Sequence, residues 1–251
     1  MPLTILLFLL GLGVGTVGTL IGVGGGFILV PVFLLALHYS PQQAVGTSLA
    51  VVFFNALSGT IAYIQQKKIY YDAAIRFSLA TLPGAVLGSY FAHYFTSRSF
   101  YISFGILLVI IAILLYSHSK TKTEPVCDQD TFPYNCLLGT SLSVLVGFLS
   151  STFGIGGGII HVPTMICLLG FPTHTATATS HFVLTVSAFF GVASHYLLGN
   201  ILLTPALVIS SGAVFGAQLG AYLAPKTNSR SITLLLCLAL LVLGLKMLLS
   251  K

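Results

Sequence analysis

Two glycine runs are the first places in this chain where residue type and spacing suggest chemistry: GVGGGFILVP, from Gly22 to Pro31, and GIGGGIIHVP, from Gly154 to Pro163. Each sets four glycines in five positions, Gly22, Gly24, Gly25 and Gly26 in one and Gly154, Gly156, Gly157 and Gly158 in the other. A glycine inside a helix costs about 1 kcal/mol relative to alanine, so four together predict a break. A half-helix restarting at Phe27 or at Ile159 has backbone N–H groups with no helical acceptor and turns the positive end of its dipole toward the break. Those are the makings of an anion site. The other reading is that the glycines simply let helices cross closely. One run leaves both readings open, while two runs in register favour a ligand pathway.

Hydroxyl and imidazole groups follow the runs. Thr47-Ser48 and Thr179-Ser180 come 16 residues after Pro31 and Pro163. Hydroxyls there either donate to an anion's oxygens or bond back to a carbonyl of their own helix. Asn55 lies on nearly the same helix face as Ser48 and extends that polar lining. His174, His181 and His195 are spaced by multiples of seven. Seven helical residues rise about 10 Å, so neighbours on that stripe cannot share a metal ion, and no metal or other cofactor is expected. His174 and His195 read as interfacial, near helix ends. His161 and His181 are the candidates for substrate contact or proton handling, against the plainer reading of structural hydrogen bonding. Gly13-Val-Gly15-Thr-Val-Gly18 imitates a dinucleotide-binding turn, but that fold needs an acidic residue about 20 positions on. The first acidic residue is Asp72. These glycines read as helix-packing contacts, and no Gly-Lys-Ser/Thr follows either run to make a phosphate loop.

The elements that must position these groups are membrane helices. Of 251 residues ten are Lys or Arg and four Asp or Glu. None precedes Lys67, and the 95 residues between Asp130 and Lys226 carry no formal charge. No water-soluble surface is built from such a stretch, whereas in lipid a spanning helix satisfies its own backbone. The net charge of +6 reads as membrane topology, with basic residues in short loops, and not as a nucleic-acid footprint. No signal peptide is expected at the N-terminus. A span needs roughly 20 apolar residues. The chain supplies a long glycine-broken stretch at 3–37, then 42–65, 73–95 and 99–118. After a polar linker come a second broken stretch at 137–169, then 174–197, 203–224 and 230–249.

A shift of 132 residues superposes the halves: each run's glycines, Val30-Pro31 on Val162-Pro163, Thr47-Ser48 on Thr179-Ser180, Gly59 on Gly191, Gly84 on Gly216, Gly88 on Gly220 and Arg98 on Arg230. Shared composition would not preserve that spacing. The expected organisation is therefore an all-α membrane protein of two four-segment repeats, 1–118 and 137–251, joined by a polar linker at 119–136. Duplicated units with a broken helix in corresponding positions point to a secondary transporter. The repeats are parallel if each broken stretch crosses once, and inverted if it enters and returns. The second arrangement puts Lys67, Lys68, Arg76, Lys120, Lys122, Lys226 and Arg230 on one side, a better positive-inside bias, so inverted repeats are favoured. The Lys67–Asp72 loop and the 119–136 linker are then cytoplasmic. That placement argues against a disulfide between Cys127 and Cys136, the pair that brackets the linker. Cys167 and Cys237 read as packing residues in apolar segments.

The paired G-x-G-G-G-x-x-x-V-P runs, one per half of an apolar chain, resemble the sulfite exporter TauE/SafE family, and Ala44-Val-Gly-Thr47-Ser48 fits as well. The second half departs at His161, which precedes its valine, and at Thr177-Ala-Thr179-Ser180-His181. The resemblance implies a transporter of small, usually sulfur-containing anions such as sulfite or sulfonates, with about eight membrane segments and no use of ATP. The expected protein is a multi-pass exporter of the bacterial inner membrane. Its partners are the bilayer, a small anion and a coupling proton. The anion lies between the two breaks, held by Gly22, Gly24–Gly26, Gly154 and Gly156–Gly158, with Thr47, Ser48, Asn55, Thr179 and Ser180 as hydrogen-bond donors and His161 or His181 giving pH sensitivity. A passive anion channel and a carrier of another small organic anion are the alternatives; monomer and homodimer fit equally. An enzyme is not expected, because Asp72, Glu124, Asp128 and Asp130 all fall in loops and no carboxylate orients a Ser/His pair in the membrane. On this reading Gly25→Leu or Gly157→Leu abolishes transport and leaves folding near normal.

Overall fold

The structure is a computed structural model describing residues 2–118, 133–227 and 229–249. Most of the 119–136 linker, with Lys120, Lys122, Glu124, Cys127, Asp128 and Asp130, lies outside the described residues, as does the side chain of Arg230. The described residues form ten α-helices: α1 Pro2–Ile21, α2 Gly26–Leu35, α3 Pro41–Gln65, α4 Tyr71–Phe91, α5 Ser97–His118, α6 Cys136–Phe153, α7 Gly158–Cys167, α8 Thr173–Leu197, α9 Leu203–Leu223 and α10 Ser229–Leu249. Six of them are long and apolar enough to cross a membrane. The broken stretches are thus α1–α2 and α6–α7, with their second pieces starting at Gly26 and Gly158, one residue earlier than the glycine pattern implies.

Local sequence sets the helix ends. Ser40 caps α3 by accepting from the Gln43 N–H, Gln43 answers through its side chain, and Pro41 starts the helix where a missing N–H costs nothing. The Asn135 side chain caps α6 at the Leu138 N–H. In α2 and α7, Pro31 and Pro163 remove the N–H groups that would otherwise bond the carbonyls four residues back, at Phe27 and Ile159.

Small residues then set which helices touch. Gly212, Gly216 and Gly220 of α9 lie against the backbone carbonyls of Phe8, Leu12 and Thr16 in ascending order, so α1 and α9 run parallel. Gly84 and Gly88 of α4 meet Val144 and Phe148 of α6 in the same way. Without side chains between them these helices approach to backbone contact, the usual device of membrane helix pairs. By contrast α3 and α8 run antiparallel: Gly59 lies beside His181, Phe53 packs on Phe189 at 5.7 Å, and Gly191 meets Leu49. These two helices form the buried centre of the bundle. Large apolar side chains on α1, α4, α5, α9 and α10, among them Leu6, Leu79, Leu114, Phe215 and Leu238, face outward, as lipid contact requires.

The same contacts fix the path of the broken stretches. The start of α1 lies with the start of α9, and α2 ends only five residues before α3 begins, at that same end. The chain enters, turns at the glycines and returns. At the opposite end α6 starts beside α4, with the Tyr134 hydroxyl donating to Asp72 at 2.5 Å. From there α7 returns toward the start of α8.

Candidate substrate site

The two glycine turns meet. An added Cβ at Gly26 would stand 2.5 Å from the carbonyl oxygen of Gly154, and one at Gly158 would stand 2.5 Å from that of Gly22. Gly24 and Gly156 both lie against Val52 and Leu184, the midpoints of α3 and α8. The break is built from left-handed backbone: φ is +80° at Gly24 and +84° at Gly25, with the same handedness at Gly22, Gly154, Gly156 and Gly157. Side chains disfavour that region. Among the described residues no acceptor meets the N–H groups of Gly25, Gly26 and Phe27, or those of Gly156, Gly157 and Ile159. Two short helices therefore begin at the bundle centre with unengaged donors, which is the arrangement that attracts an anion.

Surrounding side chains hold this junction together across the two halves. Ser48 Oγ donates to the Gly154 carbonyl at 2.9 Å, and Ser180 Oγ to the Gly22 carbonyl at 3.3 Å. Asn55 Nδ2 donates to the Gly24 carbonyl at 3.3 Å, while Asn55 Oδ1 accepts from Thr19 Oγ1 at 3.2 Å. His181 Nε2 lies 3.2 Å from Thr19 Oγ1, and its ring meets that of Tyr63 edge-on at 5.6 Å. Tyr63 in turn donates to the Thr19 carbonyl at 2.8 Å. Ser48, Ser180, Asn55 and His181 thus gather at the breaks.

The remaining predicted residues lie elsewhere. Thr47 Oγ1 accepts from the Leu202 N–H at 3.1 Å and Thr179 Oγ1 from the Tyr70 N–H at 3.0 Å, so these hydroxyls fasten the starts of α9 and α4 at opposite ends of the bundle. His161 meets Ser143 of α6 at 3.1 Å and Phe77 of α4 at 5.3 Å. His195 is not interfacial: it is fully buried, because α8 ends against α6 and its Nε2 lies 3.0 Å from the Ser151 carbonyl. The expectation for Gly25→Leu is also corrected. A side chain there would overlap Val14 at a positive φ, so the substitution disturbs folding as well as any site.

Thr19, Tyr63 and Ser151 were missed by reading the sequence, and His195 was placed at an interface. The 132-residue shift carries the signal, since Thr19 falls on Ser151 and Tyr63 on His195, a hydroxyl on a hydroxyl and one ring donor on another. Among the described residues no three His, Cys, Asp or Glu side chains gather to hold a metal ion. Arg76 Nη1 lies 3.7 Å from Cys136 Sγ, while Cys127 is outside the described residues.

An all-helical, multi-pass bundle with re-entrant, glycine-broken helices meeting at its centre has the architecture of a membrane transporter. The chain belongs to the sulfite exporter TauE/SafE family, whose model matches residues 7–247. It is 36% identical to "Probable membrane transporter protein YunE" of Bacillus subtilis, over 96% of this chain and 95% of that one. It is 29% identical to a "Probable membrane transporter protein" of Methanocaldococcus jannaschii, over 97% and 95% of the two chains. No solved structure matches.

Proposed function

We propose that this protein is a secondary transporter that exports small sulfur-containing anions, sulfite or organosulfonates, across the bacterial inner membrane. The observation that carries this reading is the meeting of two half-helix N-termini at the bundle centre with their first N–H groups unengaged. An anion between them is bound by backbone donors of Gly24–Gly26 and Gly156–Gly158 and by the Ser48, Ser180 and Asn55 side chains. No buried cation is needed, which suits a core poor in charge. The two halves, 1–118 and 137–251, are inverted repeats in this reading. Supporting it are the antiparallel run of α3 against α8 and the return of each broken stretch to the end where it entered. The Lys67–Asp72 loop and the 119–136 linker then face the cytoplasm.

The contact of Gly26 with Gly154 and of Gly158 with Gly22 favours a carrier over a passive channel. Anion binding requires the breaks to part, and parting toward one end at a time gives alternating access. Counterflow of labelled sulfite or sulfoacetate into preloaded proteoliposomes tests this. Saturable exchange that falls in Ser48→Ala and Asn55→Leu is expected. Linear flux without exchange would replace the carrier by a channel, and no flux of any sulfur anion would remove the substrate class.

A further inference from the structure

We propose that His93, Asn200 and His195 form a proton-binding site, loaded from the end of the bundle opposite the Lys67–Asp72 loop, that passes its charge to the second glycine break. The inference rests on the reading of the breaks as the anion site. His195, fully buried near the end of α8, places Nε2 3.0 Å from the carbonyl of Ser151, three residues before Gly154. A carbonyl only accepts, so Nε2 carries the hydrogen, and in a neutral ring Nδ1 is then an acceptor. Nδ1 faces the amide nitrogen of Asn200 at 3.2 Å, and that nitrogen lies 3.5 Å from Nε2 of His93. His93 is exposed at the end of α4. One amide NH2 group thus bridges an exposed imidazole and a buried one, with both rings neutral.

A proton from water meets His93 first, because His93 is exposed and His195 is buried. On binding to His93 Nε2 it sets an N–H against the Asn200 NH2, two donors facing each other. The amide relieves this by turning over so that Oδ1 accepts. Oδ1 then also faces the bare Nδ1 of His195, which takes up a proton while His93 returns its Nδ1 proton to water and stays neutral with its hydrogen on Nε2. Both rings now donate to Oδ1, and one proton is gained in all. His195, once charged, strengthens its bond to the Ser151 carbonyl and puts a positive charge beside the second break. That is a natural partner for an anion bound between the breaks, so proton and anion are bound together.

The groups facing His195 are Ser151 from α6, Asn200 from the α8–α9 connection and His93 from the end of α4. His93 is the one titratable group that acts on it among the described residues. Comparison of the two halves sharpens the assignment. At the position equivalent to His195 the first half has Tyr63, which donates to the Thr19 carbonyl just as His195 does to that of Ser151. The equivalents of Asn200 and His93 are Lys68 and Pro225. The donor to the carbonyl is duplicated, but the histidine pair with its bridging amide, which joins His93 of the first half to His195 of the second, is not: the equivalent positions Tyr63, Lys68 and Pro225 hold no imidazole.

The test is a pH titration of nitrogen-15 histidine signals in the full chain held in nanodiscs. The expected result is one transition in which the His93 and His195 nitrogens shift together with the Asn200 side-chain amide. In Asn200→Leu, His93 titrates alone and His195 keeps its neutral shifts. A transition of His195 unchanged in Asn200→Leu, or a wild-type His195 indifferent to pH while His93 titrates, overturns the proposal. His195→Gln keeps a donor for the Ser151 carbonyl. This variant is expected to fold, and the counterflow it retains is expected to be lower than that of wild type and independent of pH; a pH dependence like that of wild type also overturns the proposal. Failure of the anion reading registers separately, as absent counterflow with the coupled histidine transition intact.

Discussion

Ser48 of α3 donates its hydroxyl to the carbonyl of Gly154 at 2.9 Å, so a helix of the first half holds the glycine turn of the second. Ser180 does the same in reverse, at the carbonyl of Gly22. Neither turn is completed by its own half. The hydroxyls are fully buried, and their partners are carbonyls that a regular helix would have engaged. This cross-bracing keeps an irregular backbone tolerable at membrane depth, where an unpaired polar group has no water to turn to.

Ser48→Ala and Ser180→Ala each strip a buried carbonyl of its donor and are expected to lower stability by about 1–3 kcal/mol. Thermal unfolding in detergent measures this. Because the two bonds brace one junction, the double variant is expected to lose less than the sum of the singles. Strict additivity would mean the two turns behave independently.

Alanine at Gly26 or Gly158 puts a methyl into the opposing turn, 2.5 Å from a backbone oxygen that cannot swing aside. Overpacking of this kind costs about 1–3 kcal/mol. Both variants are expected to unfold earlier and to lose counterflow. Gly13→Ala is the control, because nothing lies within 4 Å of its added Cβ. Equal effects at Gly13 and Gly26 would show that helix propensity, and not the contact between turns, is being measured.

Asp72 ties the start of α4 to the segment before α6. The Tyr134 hydroxyl and then Arg76 hold its carboxyl below its ordinary value of 3.8, while burial, and after it the same tie, pushes the Tyr134 phenol up. A carboxyl depressed in the folded state stabilises fully above its unfolded pKa, and that contribution is lost as the pH falls through the lower folded value. The melting temperature of wild type is therefore expected to converge on that of Asp72→Asn only below about pH 4, measured by thermal unfolding across pH. A constant gap at all pH values would show that Asp72 acts through its shape alone.

Impermeant maleimide labelling of single cysteines in a background without native cysteines tests the orientation of the halves. Lys68→Cys and Lys226→Cys are expected to react from the cytoplasmic side, and Thr96→Cys from the other. Parallel repeats would put Lys226→Cys with Thr96→Cys.

What the sequence settles by itself are the features that depend on composition and period. Uncharged stretches compel membrane helices because lipid supplies no hydrogen bonds, and glycine clusters compel breaks because each glycine weakens the helix wherever it sits. The 132-residue shift aligns the glycines, prolines and hydroxyls of one half with those of the other. Which polar groups meet is a different matter. Ser48 and Thr47 are adjacent in sequence and indistinguishable by type, yet a helix turns successive side chains about 100° apart. One faces the opposite break, and the other faces the N–H of Leu202 at the bundle's end. Thr19, Asn55 and His181 come from three helices and share a network only because α3 and α8 run antiparallel between the turns. His195 shows the same limit. Its position near a helix end suggests an interface with lipid or water, but the packing of that end against Ser151 decides that it is buried.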